Sequence, residues 1–258
     1  MERIADGKDD FQKASLLGPA YGDGEIEGFL KEKGAPYVRL EGAELADRIA
    51  DLIAQEKVIG WFEGRMEFGP RALGSRSIIG DARSPKMQET MNIKIKFRES
   101  FRPFAPSVLE DRAEDYFDLR AKSPYMLLVA PVKESRRKAV PAGDEKLFGI
   151  EKLNVARSEV PAVTHVDYSA RVQTVAGRWN RLYYDVIKKF NEKYGCPVII
   201  NTSFNVLGEP IVESPSDAYR CFMRTNMDYL VMGSCLLDKA SQRPLDKDAD
   251  WLKEFELD

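Results

Sequence analysis

The stretch "VIGWFEGRMEFGPRALGSRSIIGDAR" (residues 58–83) contains two short apolar segments joined by a loop rich in glycine and arginine. The segments VIGWFEG and SIIGDAR have the length and composition of buried β-strands. The loop between them is close to a phosphate-binding loop, because Gly69 and Gly74 have the spacing of that motif's two glycines. However, Ser75 and Arg76 occupy the positions where the motif requires Lys and then Ser or Thr, so the stretch is not a P-loop.

The arginines of this loop indicate a different way of holding an anion. Glycines let the backbone approach a ligand, and Arg71 and Arg76 could each bind phosphate through two hydrogen bonds. The alternative is a tight turn whose arginines pair with nearby acids. Residues 65–104 carry nine basic and four acidic residues, a local charge of +5, whereas the whole chain carries −3 and its remainder −8. This distribution favours a local anionic ligand over a surface that coats nucleic acid.

The overall composition is that of a folded globular protein. Of its 258 residues, 43% are hydrophobic and 31% are charged, which allows one large domain or one domain with extensions. No apolar run approaches the roughly 18 residues of a membrane helix, and residues 1–17 lack the apolar segment of a signal peptide. Cys196, Cys221 and Cys235 form no CxxC pair. They predict buried thiols in a reducing compartment, and we expect a cytoplasmic protein.

Helical and strand patterns alternate along the chain, which predicts an α/β or mixed α+β class with a central sheet. The predicted helices are 22–34, 43–57, 85–95, 111–117, 179–195 and 214–225. The predicted strands or extended segments are 58–64, 77–83, 101–109, 125–132, two strands around a turn within 162–175, 196–205, 228–234 and 235–238. Residues 133–160 are rich in charge and predict a surface excursion.

A second basic stretch, "KIKFRESFRPFAP" (94–106), follows the arginine loop. If its chain is extended, Lys94, Lys96 and Arg98 lie on one face, with Arg102 nearby. Three like charges on one face repel each other unless an anion neutralises them. The stretch therefore indicates a second part of an anion site, or alternatively an edge strand kept soluble by its charge.

Polar side chains follow the apolar strand at "INTSFN" (200–205). Ser203 and Asn205 are two residues apart and so share a face of the strand. Ligands of open α/β sheets collect at the carboxyl ends of strands. The stretch predicts a ligand-binding edge, and its alternative is ordinary turn chemistry.

The only histidine, His165, lies beside Asp167 and Arg171. A lone histidine more often satisfies a strand end than catalyses, and a zinc site of His and Cys ligands is excluded, so no protein metal ligand is predicted. The chain offers cations, hydroxyls and amides without an evident nucleophile or paired carboxylates. That set fits phosphoryl or nucleotidyl transfer, in which the protein positions charged groups and Mg²⁺ neutralises part of the charge.

Four of the stretches, taken in order, resemble the C-terminal region of the NodU/CmcH-type carbamoyltransferases. The resemblance extends from about Leu17 to about Asp238 and is carried by residues 60–83, 101–109, 165–175 and 196–218. It implies a YrdC-like fold, a twisted open mixed sheet with helices on both sides. The implied division is a junction at 1–44 that follows a missing N-terminal domain, the YrdC-like domain at 45–238, and a charged tail at 239–258.

The resemblance also implies an activity. A domain of this kind binds carbamoyl phosphate and ATP with Mg²⁺, releases phosphate and forms carbamoyl-adenylate. A separate, metal-dependent N-terminal domain of the actin-like ATPase superfamily then transfers the carbamoyl group to a hydroxyl acceptor. We therefore expect this chain by itself to make or hydrolyse an activated carbamoyl species without completing the transfer.

Site residues carry over from the resemblance position by position. Arg71, Arg102 and Arg171 would bind the phosphate of carbamoyl phosphate, because planar guanidinium groups suit phosphate. Lys96 would lie between the leaving phosphate and the ATP phosphates. The implied KxR and SxN pairs are Lys96 with Arg98 and Ser203 with Asn205, the latter pair binding nucleotide phosphate or the carbamoyl amide. Arg76, His165 and Asp167 are second-line candidates.

Two other functions remain open from the sequence. One is an RNA-binding module, which the acidic remainder of the chain argues against. The other is synthesis of threonylcarbamoyl-adenylate from bicarbonate and threonine on the same fold, against which the long carbamoyltransferase-type motifs argue.

Overall fold

A mixed β-sheet of nine strands forms the centre of the protein in a computed structural model that describes residues 12–139, 146–147, 149, 155–206 and 208–244. The strand order is β1-β9-β8-β2-β3-β7-β4-β6-β5. The strands are β1 Val38–Arg39, β2 Ile59–Phe62, β3 Arg76–Asp81, β4 Ala105–Leu109, β5 Leu128–Pro131, β6 Ser169–Val175, β7 Val198–Ser203, β8 Tyr229–Met232 and β9 Cys235–Asp238. The predicted α/β class with an open mixed sheet is confirmed.

Six α-helices accompany the sheet in the part of the chain that the structure describes. They are α1 Asp23–Lys33, α2 Gly42–Ala54, α3 Met87–Met91, α4 Ala113–Tyr116, α5 Arg181–Tyr194 and α6 Pro215–Arg224. The helix ends follow local chemistry. Gly34 and Gly195 end α1 and α5 in the left-handed conformation, and a capping box of Ser214 with Asp217 begins α6.

The middle of the sheet is buried on both faces. Every residue of β2, β3 and β4 is buried, as expected for strands covered by helices on each side. Two pairs of strands are parallel, β2 with β8 and β4 with β6, and the other pairings are antiparallel. Helix α1 contributes Ile26 and Leu30 to the same core. The three cysteines are buried and free, as the prediction of buried thiols requires.

Two local predictions were wrong. Within 162–175 only one strand forms, β6, because Pro161–Val163 are a 3₁₀-helix and residues 166–168 turn into the strand. The predicted helix 85–95 begins later, at Met87, and continues as a π-helix over Asn92–Lys96. Lys94, Lys96 and Arg98 therefore do not lie along an extended chain.

The π-helix is the reason that Lys96 turns inward. Met91, Ile95 and Lys96 are all buried, while Lys94 stays exposed. Phe97 then adopts a left-handed conformation (φ 49°) and ends the helix. The predicted surface excursion at 133–160 and the tail at 239–258 fall partly outside the described residues. Within them, Glu134–Arg136 and Lys239–Ser241 form short 3₁₀-helices.

Candidate phosphate-binding site

The sheet brings four predicted stretches to one edge. Ser203 at the carboxyl end of β7 pairs with Ser77 of β3, and Asn201 pairs with Ala105 of β4. Because β3 and β4 run antiparallel to β7, the segments that precede them reach the same edge. β6 is parallel to β4, which places Arg171 near the beginning of that strand beside them.

A cavity of about 160 Å³ lies at this edge. Its charged lining residues are Arg71, Arg98 and Arg171, and Asn201 and Ser203 are among its polar ones. No carboxylate is among the described lining residues, and none of the three guanidinium groups forms an ion pair with a carboxylate within the described chain. The cavity is therefore a concave, positively charged pocket whose arginines are not paired with any carboxylate of the described residues.

The cations in and beside this cavity repel one another. Burial and the nearby Arg71 lower the pKa of Arg171. Burial and Arg102 lower the pKa of Arg98 to about 10. Both shifts have the direction expected for cations that are partly desolvated and repelled by like charge. A bound anion would relieve both effects.

A buried carboxylate shapes the loop that presents Arg71. Glu67 is 4% exposed, and its Oε1 accepts hydrogen bonds from the backbone amides of Leu73 (2.6 Å) and Ser75 (2.7 Å). Burial raises the pKa of Glu67. The Nε of Arg71 is buried without a hydrogen-bond partner among the described residues. The loop is thus held by hydrogen bonds to Glu67, while the Arg71 side chain that it presents retains an unused donor among the described residues.

Gly74 also stabilises this loop, through close packing and through its carbonyl oxygen. Its φ of +107° belongs to glycine, and a Cβ there would lie 2.4 Å from the ring of Tyr183. Its carbonyl oxygen accepts hydrogen bonds from Trp61 Nε1 (2.9 Å) and Asn180 Nδ2 (2.6 Å). The glycine therefore lets helix α5 pack directly on the loop.

Asn92 positions Arg98. Its Oδ1 accepts from Arg98 Nε at 2.7 Å, and its Nδ2 donates to the carbonyl oxygens of Ser100 and Arg102. The Arg98 guanidinium also lies 5.0 Å from the ring centroid of Phe104. These contacts fix both the turn after the π-helix and the arginine that lines the cavity. Sequence reasoning missed Asn92 and Glu67, and the only signal was their position beside the basic residues.

Lys96 connects the π-helix to the end of β7. Its Nζ, in a side chain only 4% exposed, donates to the carbonyl oxygens of Ser203 and Asn205, to Ser203 Oγ (3.2 Å) and to Asn205 Oδ1 (2.7 Å). Burial, followed by repulsion from Arg98, lowers the pKa of Lys96 to about 7. The four oxygens favour the ammonium form and therefore oppose this shift.

Ser203 and Asn205 lie together, as their spacing predicts. Ser203 Oγ donates to Asn205 Oδ1 at 2.7 Å, and Asn205 Nδ2 donates to the carbonyl oxygen of Glu209. Ser203 lines the cavity, whereas Lys96 and Asn205 are not among its lining residues. The pair predicted as KxR is therefore divided, with Arg98 at the cavity and Lys96 behind Ser203.

Arg102 and Arg76 lie elsewhere. Arg102 is exposed, pairs with Glu99 at 3.1 Å and is not a lining residue of the cavity. Arg76 is fully buried, its guanidinium carbon lies 3.7 Å from the ring centroid of Phe62, and it donates to backbone carbonyl oxygens. These carbonyl oxygens belong to Pro19, Glu63, Gly64 and Ser75. Arg76 joins the N-terminal segment to the loop instead of facing the cavity.

His165 and Asp167 form the turn before β6. His165 Nδ1 lies 3.2 Å from Ser169 Oγ, and Asp167 Oδ1 accepts from the Ser169 amide at 3.0 Å. Burial lowers the pKa of His165 despite the nearby Asp167. Among the described residues, the structure contains no group of His, Cys, Asp or Glu that could hold a metal ion. No helix within the described ranges is long and apolar enough to cross a membrane.

Comparison with known proteins identifies the family. The family model described as "Carbamoyltransferase C-terminus" matches residues 50–239. An uncharacterized protein of Synechocystis sp. is 54% identical over 253 residues, which are 97% of this chain and 41% of that protein. Nodulation protein NolNO of Sinorhizobium fredii is 45% identical over 206 residues, covering 79% of this chain and 27% of that protein. Nodulation protein U of the same organism is 39% identical over 173 residues, covering 67% and 27%.

A solved structure, full-length HypF in the phosphate- and nucleotide-bound form, covers 76% of this chain and 22% of its own. Its TM-score is 0.47 and its sequence identity 13%. The chain spans less than half the length of the curated relatives described above. The family match covers most of the sheet and all four stretches that carry the predicted site. This chain belongs to the family of carbamoyltransferase C-terminal domains.

Proposed function

We propose that the chain binds carbamoyl phosphate in the cavity between Arg71, Arg98 and Arg171 and activates its carbamoyl group with ATP. The observation that carries the proposal is the cluster of three guanidinium groups that no carboxylate of the described chain neutralises. Guanidinium groups bind phosphate in a planar, bidentate geometry. Membership in the carbamoyltransferase family supports the choice of a carbamoyl compound.

The size of the cavity favours the smaller substrate. At about 160 Å³ it is well below the roughly 300–1,000 Å³ typical of pockets for larger ligands. A phosphate with a carbamoyl group suits this volume, and a nucleotide does not. We infer that ATP binds outside the cavity, next to Ser203 and Asn205 at the end of β7. Mg²⁺ would come with the nucleotide phosphates, because Lys96 and the arginines disfavour a bare cation there.

The proposed reaction has two steps. In the first, water attacks the carbonyl carbon of carbamoyl phosphate and loses a proton. The bond between this carbon and the bridging oxygen breaks, inorganic phosphate leaves with the electrons of that bond, and carbamate forms. A carbamate oxygen then attacks the α-phosphorus of ATP, and pyrophosphate leaves as carbamoyl-adenylate forms. The arginines would stabilise the negative charge that develops on the departing phosphate, which is the main contribution that a protein makes to such reactions.

Lys96 has a positioning role in this scheme. Its contacts hold Ser203 and Asn205 in one arrangement. We assign the transfer of the carbamoyl group to a hydroxyl acceptor to a separate domain. This assignment agrees with the length of the relatives, because the chain covers only 27–41% of them. We expect this chain to carbamoylate no acceptor by itself.

The test is pyrophosphate release from ATP, together with calorimetric binding of carbamoyl phosphate to the same chain. We expect carbamoyl phosphate to bind and to support release, whereas bicarbonate with threonine does not. Arg71→Ala should weaken binding on the order of 10-fold or more, the effect of losing a charge-assisted contact. Arg112→Ala, which removes a half-buried arginine paired with Asp115 outside the cavity, is the matched control and should bind normally. Equal binding by both variants would refute the proposed site.

A further inference from the structure

Four buried side chains beside the cavity form a network of hydrogen bonds. Tyr183 donates through its hydroxyl to Ser107 Oγ at 2.9 Å, and Ser107 donates to Gln173 Oε1 at 2.5 Å. Asn201 Nδ2 donates to the same Gln173 oxygen at 2.8 Å. All four side chains are at most 3% exposed. This network joins helix α5 to strands β4, β6 and β7.

The order of donors and acceptors fixes how each amide is oriented. Gln173 Nε2 donates to the carbonyl oxygen of Leu73 at 2.7 Å, so its Oε1 must be the acceptor of the two bonds that it receives. The Asn201 Nδ2 group uses its two hydrogens on Gln173 Oε1 and on the carbonyl oxygen of Ala72 at 3.2 Å. The Asn201 amide therefore cannot rotate by 180° without losing both bonds.

One atom of this network has no partner. Asn201 Oδ1 is buried and accepts no hydrogen bond from the described residues, and Asn201 lines the arginine cavity. Arg71 lines the same cavity, and its buried Nε is an unpaired donor. A buried polar group without a partner is costly, and one at a cavity wall indicates a missing ligand atom. Two residues of the cavity wall thus carry a buried acceptor and a buried donor that are unpaired among the described residues, in addition to the positive charge.

We propose that Asn201 Oδ1 accepts a hydrogen bond from the amide nitrogen of the carbamoyl group, and that Asn201 selects carbamoyl phosphate over acyl phosphates that lack this N–H. The inference rests on the proposed function, which places the phosphate among the three arginines. Acetyl phosphate has a methyl group in place of the amide and would leave Oδ1 buried and unpaired. Gln173 acts through Asn201 as a positioning residue.

The unpaired oxygen of Asn201 should favour a ligand with an N–H group over one without it. A hydrogen-bonding site rejects an analogue that lacks the donor, because its own polar atom is then left unpaired. We expect carbamoyl phosphate to bind on the order of 10-fold more tightly than acetyl phosphate to the unmodified chain. Inorganic phosphate, which has neither group, reports on the arginines alone.

The experiment is calorimetric titration of the full chain with these three phosphates. In Asn201→Leu, the preference for carbamoyl over acetyl phosphate should disappear, and the affinity for inorganic phosphate is measured as the reference. Gln173→Met retains Asn201 but removes the acceptor that orients it, and should reduce the same preference. Gln242→Leu is the matched control, since Gln242 is a buried amide that bonds to Pro36 and Asp238 near the opposite end of the sheet.

The outcomes separate this inference from the function beneath it. Equal affinities of the unmodified chain for carbamoyl and acetyl phosphate, or an Asn201→Leu variant that keeps the preference, would overturn the role of Asn201 alone. If Asn201→Leu does not fold, the Gln173→Met variant provides the test. A Gln173→Met variant that keeps the full preference for carbamoyl over acetyl phosphate would overturn the role of Asn201. Failure of the unmodified chain to bind any of the three phosphates would overturn the proposed function.

Discussion

Lys96 and Ser203 are 107 residues apart in the sequence, and the Lys96 ammonium donates to both the carbonyl and the hydroxyl oxygen of Ser203. This contact joins the basic stretch to the polar end of β7, two features that are separate in the sequence. It requires the π-helix Asn92–Lys96, which turns the lysine toward the sheet. The arginine cavity lies at this end of β7.

The first prediction concerns Lys96 and pH. Because its pKa is lowered to about 7 from 10.5, the unfolded chain binds more protons than the folded chain between these values. The free energy of unfolding should therefore rise with pH in this window, by at most about 1.4 kcal/mol per pH unit from this residue. Lys96→Met lacks this contribution. Urea unfolding of both proteins at pH 7, 8.5 and 9.5 measures the difference, and parallel pH curves would contradict the assignment.

The second prediction separates Arg102 from Arg71. The family resemblance gives both arginines a role in phosphate binding, but Arg102 is exposed and paired with Glu99. In this arrangement, Arg102→Ala should weaken inorganic phosphate binding less than Arg71→Ala does, because a solvated charge outside the cavity contributes little. Calorimetry at constant ionic strength compares them. Equal losses would show that Arg102 moves into the site when the ligand binds.

The third prediction concerns the loop glycine. A Cβ at Gly74 would lie 2.4 Å from the Tyr183 ring, in a backbone conformation that alanine rarely adopts. Gly74→Ala should therefore destabilise the fold by about 3 kcal/mol or more, since clash and backbone strain add. Gly64→Ala is the control, because Gly64 also has a positive φ (+62°) but open space around it, and should cost about 1 kcal/mol. Similar losses for both variants would mean that contact with Tyr183 does not matter.

The fourth prediction assigns Arg76 to the structure of the loop. It stacks on Phe62 and donates to several backbone carbonyl oxygens of the loop. Arg76→Leu should lower the free energy of unfolding by roughly 3 kcal/mol, and Arg76→Lys should not restore it. Arg39→Leu removes an exposed arginine with three carboxylate neighbours and should have a much smaller effect. A stable Arg76→Leu variant with weak phosphate binding would instead make Arg76 a ligand.

The sequence predicted the fold class and most elements because their signals are local. Apolar periodicity, the capping box of Ser214 and the glycine after α5 each act within a few residues. The 3₁₀-helix found in place of the predicted strand before β6 has no such signal, and neither has the π-helix. A 3₁₀ turn at Pro161–Val163 and a wide turn at Asn92–Lys96 depend on what packs against them.

The candidate site was predictable in its residue types and less so in their arrangement. Charge and strand-end polarity indicated Arg71 and Ser203, the family resemblance indicated Arg171, and all three line one cavity. Charge alone could not distinguish these residues from Arg76, whose two terminal nitrogens donate to backbone carbonyl oxygens. Asn201 lies in the polar stretch 200–205 that the sequence indicated, but only the surrounding amide network reveals that its oxygen is unpaired.

The central claim is that the three arginines hold the phosphate of carbamoyl phosphate. A crystal structure with phosphonoacetamide, a stable analogue that retains the amide, tests it most directly. We expect the phosphonate between Arg71, Arg98 and Arg171, with the amide nitrogen within hydrogen-bond distance of Asn201 Oδ1. A phosphonate bound at another surface at saturating concentration, with the arginine cavity filled only by water, would contradict the claim.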